Sequence, residues 1–218
     1  MLHGISTSST LVYLAAVLSL FVLPATAAPP RRRLPQIKLV QLERAFAGHC
    51  PNQTIGEVVS CGEALPYIND AIGRLFSLSR YGLKTRGQRA AYVSNMAYEG
   101  AYLKYNRNLV NPSQGTRSIM PAVSLKAFVD ADSNVQLLWP TYPSLNESAI
   151  VDVLIENKAD FLPGAWWTVA GPGCSDVAAR LSKSEKSFVD WEKGCINGGP
   201  ETIPARLAIY KTVYHSIR

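Results

Sequence analysis

The sequence predicts a mainly α, single-domain protein with little or no sheet and two disulfides. Three observations carry this expectation. Apolar residues recur at spacings of three and four, most clearly at Leu65, Ile68, Ile72 and Leu75, with Phe76 beside them. No stretch alternates strictly between apolar and polar residues for long enough to supply a large sheet. Four cysteines follow a leader that reads as an export signal, and an even count in an exported chain favours disulfides.

The leader comes first. Leu11 to Leu23 is an apolar run interrupted only by Ser19, too short to span a bilayer. Ala25-Thr26-Ala27 follows with the small residues of a cleavage site, so residues 1–27 read as a signal peptide. Residues 28–35 hold Arg31, Arg32 and Arg33 among prolines and read as a basic linker or pro-segment. Residues 36–218 form the domain. With 47% hydrophobic and 17% charged residues, the chain can bury a real core. Its net charge is +6, with no charged residue before Arg31. Export sets that charge outside the cell, so no nucleic-acid partner is expected; the excess faces acidic polymers or surfaces there, or simply serves solubility. No second apolar run is long enough for a membrane anchor, and a monomer is expected.

Within the domain, Ile37 to Phe46 is loosely helical, and Ala64 to Leu78 is an amphipathic helix. Thr85 opens the next helix, predicted over 85–104, because Thr85 and Gln88 have the spacing of a capping box. Val93, Met96, Ala97 and Leu103 form its buried stripe. Asn106 to Ser118 is rich in Asn, Pro and Gly and reads as a loop. Pro121 suits the first turn of a helix running to Asp130. A short strand is expected at Val135 to Trp139, then helices at Asn146 to Glu156 and Ile203 to Ile217.

Cys50, Cys61, Cys174 and Cys195 allow three connectivities, of which local pairing, Cys50–Cys61 and Cys174–Cys195, is the simplest. Asn52-Gln53-Thr54 and Asn146-Glu147-Ser148 are glycosylation sequons. The sequence holds no HExxH zinc motif, no Gly-x-Ser-x-Gly elbow, no P-loop and no dinucleotide fingerprint. The cysteines lack metal-ligand spacing, so neither a metal nor another cofactor is expected.

Catalysis by carboxylate stays open, and its candidate is Glu99. This residue sits late in an apolar helix, with Tyr92, Met96 and Leu103 at helical spacing around it. A carboxyl held among apolar groups keeps its proton more readily, which is what a glycosidase acid requires. Helical periodicity alone favours a Glu at the polar edge of an amphipathic helix. Tyr98, Tyr102 and Tyr105 surround it and offer rings on which a sugar can pack, as do Trp139, Trp166 and Trp167, although such rings are more often core or boundary residues.

Ser94-Asn95-Met96-Ala97-Tyr98-Glu99-Gly100 and Gln114-Gly115-Thr116-Arg117-Ser118-Ile119-Met120 together resemble the lysozyme-like superfamily. The likeness is to secreted fungal proteins distantly similar to family 19 chitinases and lytic transglycosylases. It extends over roughly residues 60 to 215, with Trp166-Trp167 and the Cys174–Cys195 segment resembling the C-terminal helices. Two positions depart from that pattern: Gly100 stands where Ser or Thr is usual, and no Gln follows Met120.

The resemblance implies a lysozyme-like helical fold. It implies a glycan hydrolase acting on a β-1,4-linked N-acetyl amino sugar polymer, chitin or peptidoglycan. Glu99 would be its acid, in a cleft between the helix and the loop at 106–120. Tyr98, Tyr102, Gly115, Thr116 and Arg117 would then line the substrate, or Arg117 would instead clamp Glu99. The loop has no second carboxylate, and Asp130 and Asp132 are distant alternatives. The same resemblance allows an inactive glycan-binding or host-interaction protein. Secreted material is expected to begin near Ala28, or at Leu34 where the arginines are processed; mass spectrometry finding an intact Met1 would contradict the leader.

Overall fold

Ten α-helices and one π-helical turn account for most of the described residues. The computed structural model describes residues 34–51, 59–76, 82–136 and 147–218, all within one unit of the chain, Arg33–Arg218. The helices are α1 (Leu39–Ala45), α2 (Cys61–Gly73), α3 (Arg86–Glu99), α4 (Ala122–Ala131), α5 (Ser133–Gln136), α6 (Glu147–Glu156), α7 (Leu162–Ala170), α8 (Cys174–Ala179), α9 (Glu185–Trp191) and α10 (Ile203–Ser216). The π turn, Glu192–Ile196, follows α9 directly. Among the described residues there is no strand; the loop before α4 carries only the bridges Arg107–Gly115 and Gly115–Met120. The leader, the sequons Asn52 and Asn146, and Trp139 lie outside the described residues.

Both disulfides form locally. Cys50–Cys61 ties the segment after α1 to the first turn of α2, and Cys174–Cys195 ties α8 to the π turn. Closing loops of 11 and 21 positions restricts the unfolded chain by on the order of 3 kcal/mol each.

Capping chemistry fixes where the long helices begin. Ser60 accepts from the Glu63 amide, and the Glu63 carboxyl accepts from the Ser60 amide. This starts α2 three residues before the expected Ala64. The helix stops at Gly73, short of the expected Leu78, because the chain turns back at Gly82 (φ +63°) and Leu83 N–H donates to Ile72 O. Phe76 is buried although it lies beyond the helix, so the apolar spacing outruns the helix itself. Thr85 and Gln88 make the expected reciprocal cap on α3. Of the strand expected over Val135 to Trp139, the described residues Val135 and Gln136 are helical. Asp132 Oδ1 accepts from Val135 N–H and starts the short helix α5.

Helix α3 is buried without interruption from Gly87 to Ala97 and packs against α7 and α10. Small residues allow this. A Cβ on Gly87 would lie 2.3 Å from Leu181 O, and one on Gly164 of α7 would lie 2.2 Å from Ser118 Oγ. The helix ends at Glu99 rather than at 104, because Ala101, Tyr102 and Leu103 take left-handed conformations in succession (φ 47°, 57° and 72°). Such residues cost roughly 1–2 kcal/mol each. Hydrogen bonds from Tyr102 N–H to Ala97 O and from Tyr105 N–H to Gly100 O hold the reversal.

The loop that follows closes on itself through reciprocal bonds between Gly115 and Met120. Its tip is anchored by a buried ion pair, Arg117 Nε to Asp160 Oδ2 at 2.8 Å, and Arg117 Nη1 also donates to Leu103 O. Burial raises the Asp160 carboxyl and outweighs the pull of Arg117. Breaking this pair strands a buried charge. Asp160→Asn is therefore expected to destabilise the fold by about 3–5 kcal/mol in denaturant unfolding, whereas Arg117→Met combined with Asp160→Leu should recover most of that loss.

Candidate functional site

Glu99 is the last residue of α3, and its side chain is 25% exposed. The apolar surroundings expected from helical spacing are not what it meets. Its carboxylate accepts from Arg206 Nη2, on the buried face of α10. The reason is geometric. Leu103, placed beyond the helix by the left-handed run, does not continue the face of Glu99, and α10 packs along α3 there.

Arg206 organises the cluster. Its side chain is 8% exposed, and each part of the guanidinium has a use. Nη1 donates to Asn95 Oδ1 at 2.9 Å, one turn before Glu99 on α3. Nε donates to Thr202 Oγ1 at 3.3 Å and faces Glu192 Oε2 at 3.7 Å. The planar head lies over the Tyr98 ring, 4.0 Å from its centroid. Tyr98 and Glu99 thus meet through a shared guanidinium.

Glu192 is the second carboxylate of the cluster and is 1% exposed. It opens the π turn that Cys195 anchors to α8. Gly198 curls over it, and a Cβ there would lie 2.8 Å from Glu192 Oε2, so the position accepts only glycine without a shift. Oε2 has no hydrogen-bond partner among the described residues. Burial pushes this carboxyl up to about 7, with Arg206 opposing and the Glu99 charge adding to the rise. Two carboxyls therefore share one guanidinium, and Glu192 keeps its proton up to near neutral pH.

The other expected substrate residues go elsewhere. Tyr102 stacks on His49 (centroids 4.5 Å apart) and meets Phe46 edge-on, so it packs toward the α1 side. Gly115 is pressed against α6, where a Cβ would lie 2.3 Å from Val151 Cγ1. Thr116 is fully buried, and Arg117 clamps Asp160 instead of Glu99. Gly100 is explained by crowding: a Cβ there would lie 3.0 Å from each of Met96 O, Tyr105 O and Arg117 O. Asp130 pairs with Lys126, and buried Asp132 faces Arg74, so neither stands at the cluster. Trp166 is a core residue, and Trp167 donates to Cys195 O.

Arg206 and Glu192 escaped the sequence reading, though both left a signal. Arg206, Tyr210 and Val213 form one buried stripe, and so do Phe188, Glu192 and Cys195, each with a charge on an apolar face. Among the described residues no group of three or more His, Cys, Asp or Glu side chains is placed to hold a metal ion. No protein-family model, curated protein or solved structure matches the chain.

The raised Glu192 carboxyl makes stability depend on pH with a definite sign. It binds a proton more tightly in the folded chain than at its ordinary value of 4.5. Its contribution is full below about pH 4.5, declines as pH rises toward 7, and is lost above that. A shift of this size corresponds to on the order of 3 kcal/mol. Glu192→Gln should remove this fall, so the stability of variant relative to wild type rises between pH 4.5 and 7 when measured by chemical unfolding across that range.

Proposed function

We propose that this is a secreted, lysozyme-like glycan hydrolase that cleaves a β-1,4-linked N-acetyl amino sugar polymer, chitin or peptidoglycan, with Glu99 as general acid. The observation that carries the reading is the cluster at the end of α3. A partly exposed carboxyl is fixed by Arg206 beside a buried carboxyl that holds a proton to near neutrality. Acid catalysis of glycoside cleavage needs a positioned carboxyl and a proton available at working pH. Glu99 supplies the reach toward solvent. Glu192, joined to it through Arg206, is the carboxyl that burial keeps protonated to near neutral pH. In this reading Glu99 protonates the leaving sugar oxygen, then as the base activates the group that resolves the intermediate. Two disulfides fit an oxidising compartment, and no helix among the described residues is long and apolar enough to cross a membrane.

A second reading has its own observation. The Glu99–Arg206 pair ties the carboxylate into the fold, and a carboxylate engaged this way also serves as a plain structural link. The protein would then be a glycan binder on the same scaffold.

Glu99→Gln separates the two. For the hydrolase, turbidity clearing of bacterial walls or release of soluble chitin fragments should fall at least about a hundredfold, with sugar binding retained. Binding to chitin by a wild type that clears nothing would decide for the second reading.

A further inference from the structure

Away from the Glu99 cluster, two adjoining cavities of about 460 and 450 Å³ flank α2 and share Pro66, Tyr67 and Lys158. Neither is lined by Glu99, Arg206 or Glu192. Tyr67 is their common feature. It is 37% exposed, and its ring lies nearly parallel to buried Phe161, with centroids 5.6 Å apart and planes at 15°. One face is thereby held against the core, leaving the ring as a preset platform. Asn106 lines the larger cavity. It is 4% exposed, and its side-chain oxygen has no hydrogen-bond partner among the described residues. A buried amide oxygen without a donor costs about 1–3 kcal/mol, and a ligand N–H or O–H relieves that cost.

The charges of the lining are mutually compensated. Arg117 is paired with Asp160 in the larger cavity, and Arg74 with Asp70 in the smaller. Lys158 adds one positive charge, and Glu63, engaged in capping α2, one negative. A lining of this kind does not select a strongly charged ligand. It offers an aromatic face, an amide acceptor, and apolar wall from Val59 and Ile155. A neutral sugar ring has the complementary surfaces: an apolar C–H face for Tyr67 and a polar rim. An acetamido group matches the rest, with its N–H toward Asn106 and its methyl against Val59 and Ile155.

We infer that this groove is a second carbohydrate site, separate from the Glu99 cluster, which holds a chain of N-acetylated sugars across the Tyr67 platform. The inference goes beyond the proposed hydrolase, since it requires nothing of Glu99.

The test is a titration of isotope-labelled Glu99→Gln protein, which cannot consume the probe in the reading above, with tetra-N-acetylchitotetraose, followed through backbone amide resonances. Saturable shifts are expected at Tyr67, Asn106 and Lys158. Tyr67→Ala should weaken that phase about threefold to tenfold. Cellotetraose, which lacks acetamido groups, should bind the groove at least tenfold more weakly. Saturable shifts confined to residues around Arg206, no saturation in the groove, or cellotetraose binding there equally well would each overturn the inference. The mapping uses an unaltered groove, so a Tyr67→Ala protein that fails to fold does not rescue it. A silent groove in a protein whose wild type degrades the polymer overturns this site alone. A responsive groove in a protein whose wild type degrades nothing overturns the hydrolase alone.

Discussion

Everything around α3 follows from its being buried on all sides. A helix at a surface can send its polar side chains to water, but from Gly87 to Ala97 this one cannot. Most of its polar groups find a partner inside the protein, Arg89 Nε being an exception among the described residues. Tyr92 donates to Phe161 O, Ser94 to Ala91 O, and Gln88 to Ala178 O. Asn95 accepts from Arg206. These bonds reach the segment before α7, the end of α8, and α10. The helices that enclose α3 are therefore placed by hydrogen bonding as well as by apolar contact. Small residues at Gly87, Ala90, Ala91 and Ala97 let the neighbours come close enough for those bonds to form.

The same burial dictates how the helix ends. The chain must leave the core at once, and the left-handed run at 101–103 achieves this within one turn. Gly100 sits where three carbonyl oxygens converge, and the reversal requires a residue this small there. The loop after it then has to be pinned from within. Its closed turn from Gly115 to Met120 sends Arg117 inward to Asp160, while the backbone of Arg117 donates to Asp160 O. A motif that looks like a ligand-binding stretch is in this chain a clasp.

Much of this was legible in the sequence because it is local. Capping boxes are fixed by a spacing of three residues, so the start of α3 could be read directly. The cysteine pairing rested on short separations. Glu99 stood out because a carboxylate is rare on such a helix. The end of α3 was not legible, since Ala101, Tyr102 and Leu103 are ordinary helix residues whose left-handed backbone is imposed by the packing around Gly100. Arg206 lies 107 positions from Glu99 and 111 from Asn95. Spacing rules carry no information over such separations. What the sequence did hold was a charge on the apolar stripe of α10 and another on that of α9 and the π turn, and two such misfits on separate helices are each other's explanation.

That explanation also accounts for why the organising cation is an arginine. Three nitrogens of Arg206 face Glu99, Asn95, Thr202 and Glu192 in different directions within one plane, and the flat of that plane covers Tyr98. A lysine ammonium has neither the fork nor the face to hold these groups together. Yet a guanidinium brings only one positive charge to two carboxyls. Ionising both would leave a net negative charge in a space from which Glu192 cannot reach water. A proton settles the imbalance, and it stays until the pH approaches 7. The segment carrying Glu192 is held by the Cys174–Cys195 disulfide and by the Trp167 bond to Cys195 O, so the buried carboxyl cannot relax outward to shed that proton. The disulfide, the π turn and Gly198 thus act on the carboxyl at the end of α3 through a single side chain.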